Sequence, residues 1–164
     1  MSYHLVSENP APLFMGALPY RWDDVPSRVV VNLCGILPYG DGMFGRVVHL
    51  LPMLDVPERE LLPERSRIEA FLDAVHAHAG HEPTYWHCHA GLNRSGFAVA
   101  AYLHRHRGVR IGEAIAQLRE VRSPMVLCNP TFEETLRTWY GGPDEQDMGS
   151  VEPSVLTLGG GESL

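Results

Sequence analysis

The sequence predicts a single α/β domain with a central, mostly parallel β-sheet flanked by helices. Short β-branched segments alternate with longer segments whose apolar residues recur at helical spacing, which is the pattern of this class. A chain of 164 residues with 45% hydrophobic and 20% charged residues is typical of one globular domain. We place this domain at residues 1–140 and expect residues 141–164 to be an acidic, disordered tail.

Four segments are predicted to be strands. Residues 13–16 lie between prolines and indicate a short strand followed by a turn. Residues 28–33 and 47–51 are continuous runs of apolar, mostly branched side chains, which favour strands buried on both faces. Residues 84–88 are predicted to form the last strand. Residues 36–45 are rich in Gly and Pro and should form a loop.

Four helices are predicted from apolar residues at helical spacing. Gly80 and Gly108 are natural helix stops, and Asn129 followed by Pro130 is a typical helix start with an N-cap and a first-turn proline. In an open α/β sheet the ligand site lies at the carboxyl ends of the strands. The predicted helices span residues 63–79, 93–107, 113–122 and 130–140.

Composition and charge narrow the possible partners and compartment. The net charge is -7 and no basic tract occurs, which makes nucleic acid an unexpected partner. No apolar run is long enough to cross a membrane, and the first residues show no secretion signal. Cys34, Cys88 and Cys128 are too few for a disulfide framework, which indicates a reducing compartment and predicts a cytoplasmic location. The oligomeric state is left open.

The most informative segment follows the last predicted strand and leads into a helix. There Cys88 is separated by five residues from Arg94, at the predicted helix start. The N–H groups and positive dipole end of a helix start favour an anion, and the same field shifts a thiol towards thiolate. The planar guanidinium of Arg94 is suited to binding two phosphate oxygens. The segment therefore predicts a phosphate site beside a nucleophilic thiol.

Residues 87–95, which read HCHAGLNRS, match the His-Cys-x-x-Gly-x-x-Arg-Ser/Thr signature of the cysteine-dependent protein tyrosine phosphatases. Over residues 10–140 the chain resembles the small dual-specificity phosphatases of this superfamily. The resemblance implies a phosphomonoester hydrolase that works through a phosphocysteine and requires no metal or cofactor. Its expected substrate is a phosphorylated protein or a small phosphomonoester, bound in a pocket shallow enough for phosphotyrosine and phosphoserine or phosphothreonine.

The chemistry and the resemblance together assign a role to each position of the signature. Cys88 would attack phosphorus, and Arg94 would bind phosphate and stabilise the transition state. By resemblance, Ser95 hydrogen-bonds the sulfur and His87 orients the thiol. Gly91 permits a turn in which successive N–H groups converge on an anion, and no acidic residue lies within residues 89–94. The predicted substrate-binding residues are His89, Ala90, Gly91, Leu92, Asn93 and Arg94.

The leaving group needs a proton, which the family takes from an aspartate on a mobile loop. Asp55 is the candidate because it lies on a loop after a strand, 33 residues before Cys88. It would later act as the base that activates water. Asp41, Glu58 and Glu60 are the rival carboxylates. The fuller Trp-Pro-Asp motif of the family is absent, because Leu54 precedes Asp55 where the motif has proline.

Cys34 ends a strand that should lie beside the Cys88 strand. The arrangement resembles phosphoinositide phosphatases of the superfamily, in some of which a cysteine here forms a reversible disulfide with the nucleophile. Cys34 is therefore a possible redox partner of Cys88, and a small buried core thiol is the alternative. Cys128 is predicted to lie in the core.

Several other functions share parts of this pattern. An RNA 5'-triphosphatase or a phosphoinositide phosphatase could use the same loop, although the loop carries no lysine to match extra phosphates. A phosphatase-like module could bind phosphorylated partners without turnover, and a redox enzyme could use the pair Cys34 and Cys88. Zinc binding is disfavoured because no second Cys/His pair has ligand spacing. A rhodanese-like sulfurtransferase loop usually lacks the Gly-x-x-Arg-Ser ending.

Overall fold

The computed structural model describes residues 3–36 and 41–143. It contains one five-stranded sheet in the order β1-β2-β5-β3-β4, in which β1 is antiparallel to β2 and the other neighbours are parallel. The α/β prediction is confirmed. The strands are β1 Tyr3–Ser7, β2 Leu13–Gly16, β3 Val29–Asn32, β4 Val47–Leu50 and β5 Thr84–His87. The helices are α1 Arg65–Ala79, α2 Arg94–Arg107, α3 Ile111–Val121 and α4 Pro130–Tyr140.

The central strand β5 separates two apolar layers of different size. Trp86 and Val31 point into the main core, where they pack with buried residues of all four helices. Tyr85 and Val30 point to the opposite face, where a short 3-10 helix, Trp22–Asp24, supplies a smaller cluster. This alternation follows from the two-residue period of a strand. The helix α2 contributes nine buried residues and fixes the Cys88 end of β5 against the core.

Two expectations about individual elements were wrong, and one strand was missed. Residues 47–51 were expected to form a buried strand, but β4 lies at the sheet edge and Leu50 is 45% exposed. The strand β1 was not predicted, because its exposed and buried residues give only a weak alternating pattern. Cys128 is exposed rather than buried, since it immediately precedes the N-cap of α4 at the surface. The predicted tail lies, apart from residues 141–143, outside the described residues.

Candidate active site

The segment between Cys88 and Arg94, called here the cysteine loop (residues 88–94), connects the central strand β5 to α2. Parallel strands lie on both sides of β5, so the loop leaves the carboxyl edge of the sheet between two neighbours. The residues that follow the neighbouring strands β2 and β3 also hydrogen-bond to this junction. Leu18 N–H donates to His89 O at 2.9 Å, and Leu33 N–H donates to His87 O at 2.9 Å. Both ends of the strand-to-loop junction are therefore fixed by backbone hydrogen bonds.

Cys88 lies at the bottom of this loop and its side chain is surrounded by donors. Gly91 N–H donates to Cys88 Sγ at 3.3 Å, and Ser95 Oγ lies 3.4 Å from the same sulfur. Burial by itself raises the pKa of the Cys88 thiol. Hydrogen bonds from the Ser95 side chain and from the N–H groups of Ser95, Leu92 and Gly91 outweigh burial, so the pKa of Cys88 is lowered from its ordinary value.

Gly91 is required by its conformation and by its neighbours. Its φ is +71°, which side chains rarely adopt. A Cβ at this position would lie 2.3 Å from Gly16 O and 2.7 Å from Ala17 N, well inside contact distance. The loop therefore packs directly on the backbone at the end of β2.

Arg94 begins α2 and retains donors for a ligand. Its Nη1 donates to Met53 O at 3.3 Å, which holds the guanidinium across the loop. Its Nε is buried and, among the described residues, has no hydrogen-bond partner. A buried unpaired N–H is costly, and an anion in the loop would satisfy it.

Arg122, at the end of α3, supports the cysteine loop from outside. Its Nε lies 3.3 Å from Gly91 O and its Nη2 lies 3.3 Å from Ala90 O, and both nitrogens donate to these carbonyls. Its Nη1 lies 3.1 Å from His4 Nδ1 on β1. Drawing the two carbonyls outward turns the intervening N–H groups towards the interior of the loop. The sequence did not predict this contact, because it spans 31 residues.

His87 is fully buried beneath Cys88 and is kept neutral by its surroundings. Burial lowers the pKa of its imidazole to about 4. Because Cys88 O can only accept, Nδ1 donates to it at 3.1 Å. The ring also stacks on Tyr85, with 5.7 Å between the ring centroids. These contacts fix the peptide that carries the Cys88 side chain.

Asp55 is brought to the cysteine loop by two asparagines. Asn93 Nδ2 donates to both carboxylate oxygens, at 3.2 and 3.1 Å, and Asn129 Nδ2 donates to Oδ1 at 3.1 Å. The rivals Glu58 and Glu60 are exposed; Glu58 precedes the short 3-10 helix Arg59–Leu61 and Glu60 lies within it. The side chain of Asp41 lies outside the described part of the structure.

Cys34 follows β3 and lies within electrostatic reach of the site. Burial raises the pKa of its thiol, while Arg94 and Cys88 act on it with opposite signs. Its sulfur donates to Asn32 Oδ1 at 3.4 Å, and the same oxygen accepts from the N–H groups of Cys34 and Gly35. The thiol is half-buried and forms no disulfide with the other described cysteines.

Within residues 3–36 and 41–143, no three His, Cys, Asp or Glu side chains converge as a possible metal site. No helix in this part of the chain is both long and apolar enough to cross a bilayer.

The fold and the signature loop together define a member of the cysteine-dependent protein tyrosine phosphatase superfamily. Residues 44–141 match the family model described as "Dual specificity phosphatase, catalytic domain". The chain therefore belongs to the dual-specificity phosphatase family.

Two curated relatives and one solved structure show the extent of the similarity. The chain is 30% identical to human Dual specificity phosphatase 28 over 109 residues, which cover 66% of this chain and 60% of that protein. It is 32% identical to mouse Dual specificity protein phosphatase 12 over 114 residues, which cover 70% of this chain and 33% of that protein. The match thus spans less than two thirds of either relative.

The crystal structure of human DUSP28 superposes with a TM-score of 0.65 at 22% identity and covers 90% of this chain and 95% of that one. This structural likeness confirms the fold.

Proposed function

We propose that this chain hydrolyses phosphomonoesters of tyrosine and of serine or threonine in proteins, through a phosphocysteine formed at Cys88. The observation that supports this most strongly is a buried thiol with a lowered pKa that accepts hydrogen bonds from its own loop. A lowered pKa favours the thiolate, which is the nucleophilic form of cysteine. Membership of the dual-specificity phosphatase family points to the same chemistry.

The first step transfers the phosphoryl group from substrate to enzyme. The Cys88 thiolate attacks phosphorus, an S–P bond forms and the P–O bond to the leaving group breaks. Arg94 and the loop N–H groups stabilise the charge on the three equatorial oxygens. The loop residues His89, Ala90, Gly91, Leu92 and Asn93 form the wall of this site. Asp55 gives its proton to the departing oxygen.

The second step releases inorganic phosphate. Asp55, now a carboxylate, takes a proton from water as the water oxygen attacks phosphorus. The S–P bond breaks and Cys88 leaves as thiolate, eased by the Ser95 hydroxyl 3.4 Å away. His87 keeps the Cys88 peptide in place through its hydrogen bond to Cys88 O. No metal or cofactor takes part in this scheme.

The side chains of the cysteine loop favour a phosphoprotein substrate over a heavily phosphorylated lipid. His89 and Ala90 are exposed at the mouth, and the Asn93 amide is occupied by Asp55. The variable positions thus present no fixed cation for a second phosphate, in keeping with a substrate that carries one phosphate per site. A panel of phosphopeptides, phosphoinositides and RNA 5'-triphosphate tests this assignment, and preferential turnover of either of the latter two would overturn it.

Turnover of p-nitrophenyl phosphate by three proteins, metal-free and with reductant, tests the function. Wild type should release phosphate, and Cys88→Ser should be inactive. Asp55→Asn should lose activity by a factor on the order of 10² to 10⁴. Activity that survives Cys88→Ser would refute the proposal, and a folded wild type that binds phosphopeptides without turnover would indicate a binding module instead.

Cys34 is proposed as the redox partner of Cys88. A peroxide would oxidise the Cys88 thiolate to a sulfenic acid, and attack by Cys34 sulfur would form the disulfide and release water. The position of Cys34 beside the site and its electrostatic coupling to Cys88 support this step. Mass spectrometry after mild peroxide should find a peptide crosslinked between the two; over-oxidised Cys88 without a crosslink would contradict it.

Three free cysteines favour a reducing compartment, and we propose a cytoplasmic location. We also propose that residues 1–140 are the catalytic domain. A chain truncated after residue 143 should keep the full turnover of the whole chain, and loss of turnover would contradict this boundary.

A further inference from the structure

The loop that carries Asp55, called here the Asp55 loop (residues 53–57), is tied down along most of its length. Apart from Met53, its residues are exposed or only half-buried, so apolar packing cannot hold it in one position. Polar contacts supply the order instead. Arg94 donates to Met53 O at 3.3 Å, and Thr131 Oγ1 donates to Pro57 O at 2.7 Å. Between these ends lie the two asparagine contacts to Asp55.

Asn93 connects three segments through one amide group. Its Nδ2 donates to the carboxylate of Asp55, as described above. Its Oδ1 accepts from the backbone N–H of Asn129 at 3.0 Å and from Cys128 Sγ at 3.5 Å. Both the nitrogen and the oxygen of this amide are therefore engaged, which fixes its orientation. Asp55 is positioned by a residue of the same loop that carries the nucleophile.

Asn129 serves two purposes with the two halves of its side chain. Its Oδ1 caps α4 by accepting from Thr131 N–H at 3.2 Å. Its Nδ2 donates to Asp55 Oδ1 at 3.1 Å and to Val56 O at 3.0 Å. An N-cap needs only the acceptor. The donor half of Asn129 is therefore available to hold the Asp55 loop.

We propose that Asn93, Asn129 and Thr131 are positioning residues that latch the Asp55 loop over the cysteine loop before substrate binds. The inference rests on the proposed function, in which Asp55 is the proton donor. A donor fixed within reach of the leaving oxygen lowers the barrier without an ordering step, and a displacement of about 1 Å can cost roughly 100-fold in rate. In the first step the latch therefore acts on leaving-group protonation and not on the Cys88 sulfur, and in the second step it holds the same carboxylate as the base.

The test compares two substrates that differ in their need for an acid. Phenyl phosphate has a poor leaving group that requires protonation, whereas p-nitrophenyl phosphate has a good one that requires it less. Asn129→Ser keeps a capping hydroxyl but loses the amide donor. Its kcat/KM on phenyl phosphate, which reports the steps up to release of the leaving group, should fall roughly tenfold further than its kcat/KM on p-nitrophenyl phosphate, and the quotient of the two kcat/KM values is called here the substrate ratio. An equal fall on both substrates would show a merely structural role and overturn the proposal.

A matched pair of substitutions on α4 provides the control. Thr131→Val removes the hydroxyl that donates to Pro57 O, and should shift the substrate ratio in the same direction as Asn129→Ser. Thr138→Val removes a hydroxyl that donates only within the helix, to Glu134 O at 2.8 Å. It should leave the ratio at the wild-type value. A Thr131→Val protein whose ratio matches that of Thr138→Val would count against the latch.

A double-mutant cycle separates the latch from the proposed function. Asn129→Ser added to Asp55→Asn should not change the ratio further, because the group it positions is already gone. A further change in that background would overturn the proposal, since it would show that Asn129 acts elsewhere. If wild type fails to turn over either substrate, the proposed function itself has failed. If wild type and Asp55→Asn behave as expected but Asn129→Ser matches wild type, only the latch has failed.

Discussion

The two loops that form the site are held in different ways. The cysteine loop is held mainly by backbone hydrogen bonds and by burial, with Cys88 only 1% exposed. The Asp55 loop is largely exposed and is held by side chains that lie 38 to 74 residues away in the sequence. The proposed nucleophile is therefore built into the core of the fold, whereas the proposed proton donor depends on tertiary contacts at the surface.

The largest effect on turnover is expected from a substitution inside the cysteine loop that disturbs its packing on β2. Gly91→Ala places a Cβ against Gly16 O and forces the loop off β2. Turnover should fall on the order of 100-fold or more. The loss should be the same for phenyl and p-nitrophenyl phosphate, because attack by the thiolate is impaired, in contrast to variants of the Asp55 loop.

Gly108→Ala is the matched control for Gly91→Ala. Gly108 also has a positive φ, +68°, but a Cβ there would meet nothing within 4 Å. The substitution should cost about 1 to 2 kcal/mol of unfolding free energy from backbone strain, and turnover should be unchanged. If Gly91→Ala keeps as much activity as Gly108→Ala, the close packing of the loop on β2 does not matter for catalysis.

A second effect should appear in the pH dependence of stability, through the buried His87. Its pKa is about 4 in the folded protein against an ordinary value of 6.5, so the folded state favours the neutral ring. As the pH falls from 6.5 towards 4, the unfolded state takes up a proton that the folded state does not. Stability from this group is thus complete above pH 6.5 and is lost below it, by about 3 kcal/mol at pH 4.

His87→Asn isolates this contribution. Asparagine can still donate to Cys88 O but does not titrate. His49 and His106, whose pKa values are also lowered by burial, remain in both proteins and act in the same direction. Denaturant unfolding between pH 7 and 4 should therefore show a smaller loss of stability for the variant. If the free energy of unfolding falls equally with pH in the two proteins, His87 is not held neutral in the folded state.

The smallest effect is expected from loosening the outer support of the cysteine loop. Arg122→Lys keeps a positive charge but loses the fork that binds Ala90 O and Gly91 O. Competitive inhibition by inorganic vanadate should weaken about tenfold, as expected for the loss of one or two hydrogen bonds. Arg28→Lys, in which an exposed pair with Glu82 is altered, should not change inhibition. Equal inhibition of wild type, Arg122→Lys and Arg28→Lys by vanadate would show that Arg122 does not support the cysteine loop.

The same contrast explains what the sequence could predict. The cysteine loop lies within the nine-residue signature of residues 87–95, in which the local signals for a strand end, a turn glycine and a helix start agree. The capping role of Asn129 was also predictable, because an N-cap is a local feature, and the structure confirms it. Its contact with Asp55 was not, since 74 residues separate the two.

Two errors have a similar origin. The residues of β4 indicate a buried strand because they are mainly apolar. Its position at the sheet edge is set by the order of the strands, which cannot be predicted from a local sequence pattern. Cys128 was assigned to the core because thiols are usually buried. Its exposure follows from the turn before α4, which carries it beside Asn93 at the surface.

The central claim is that Cys88 becomes phosphorylated during turnover. Asp55→Asn treated with p-nitrophenyl phosphate and quenched rapidly in acid tests it most directly, because a good leaving group departs without the acid while the missing base slows hydrolysis of the intermediate. Mass spectrometry should find one phosphoryl group on the peptide that carries Cys88. Phosphate release with the phosphoryl group on any other residue, or with none on Cys88 under these conditions, would contradict the mechanism.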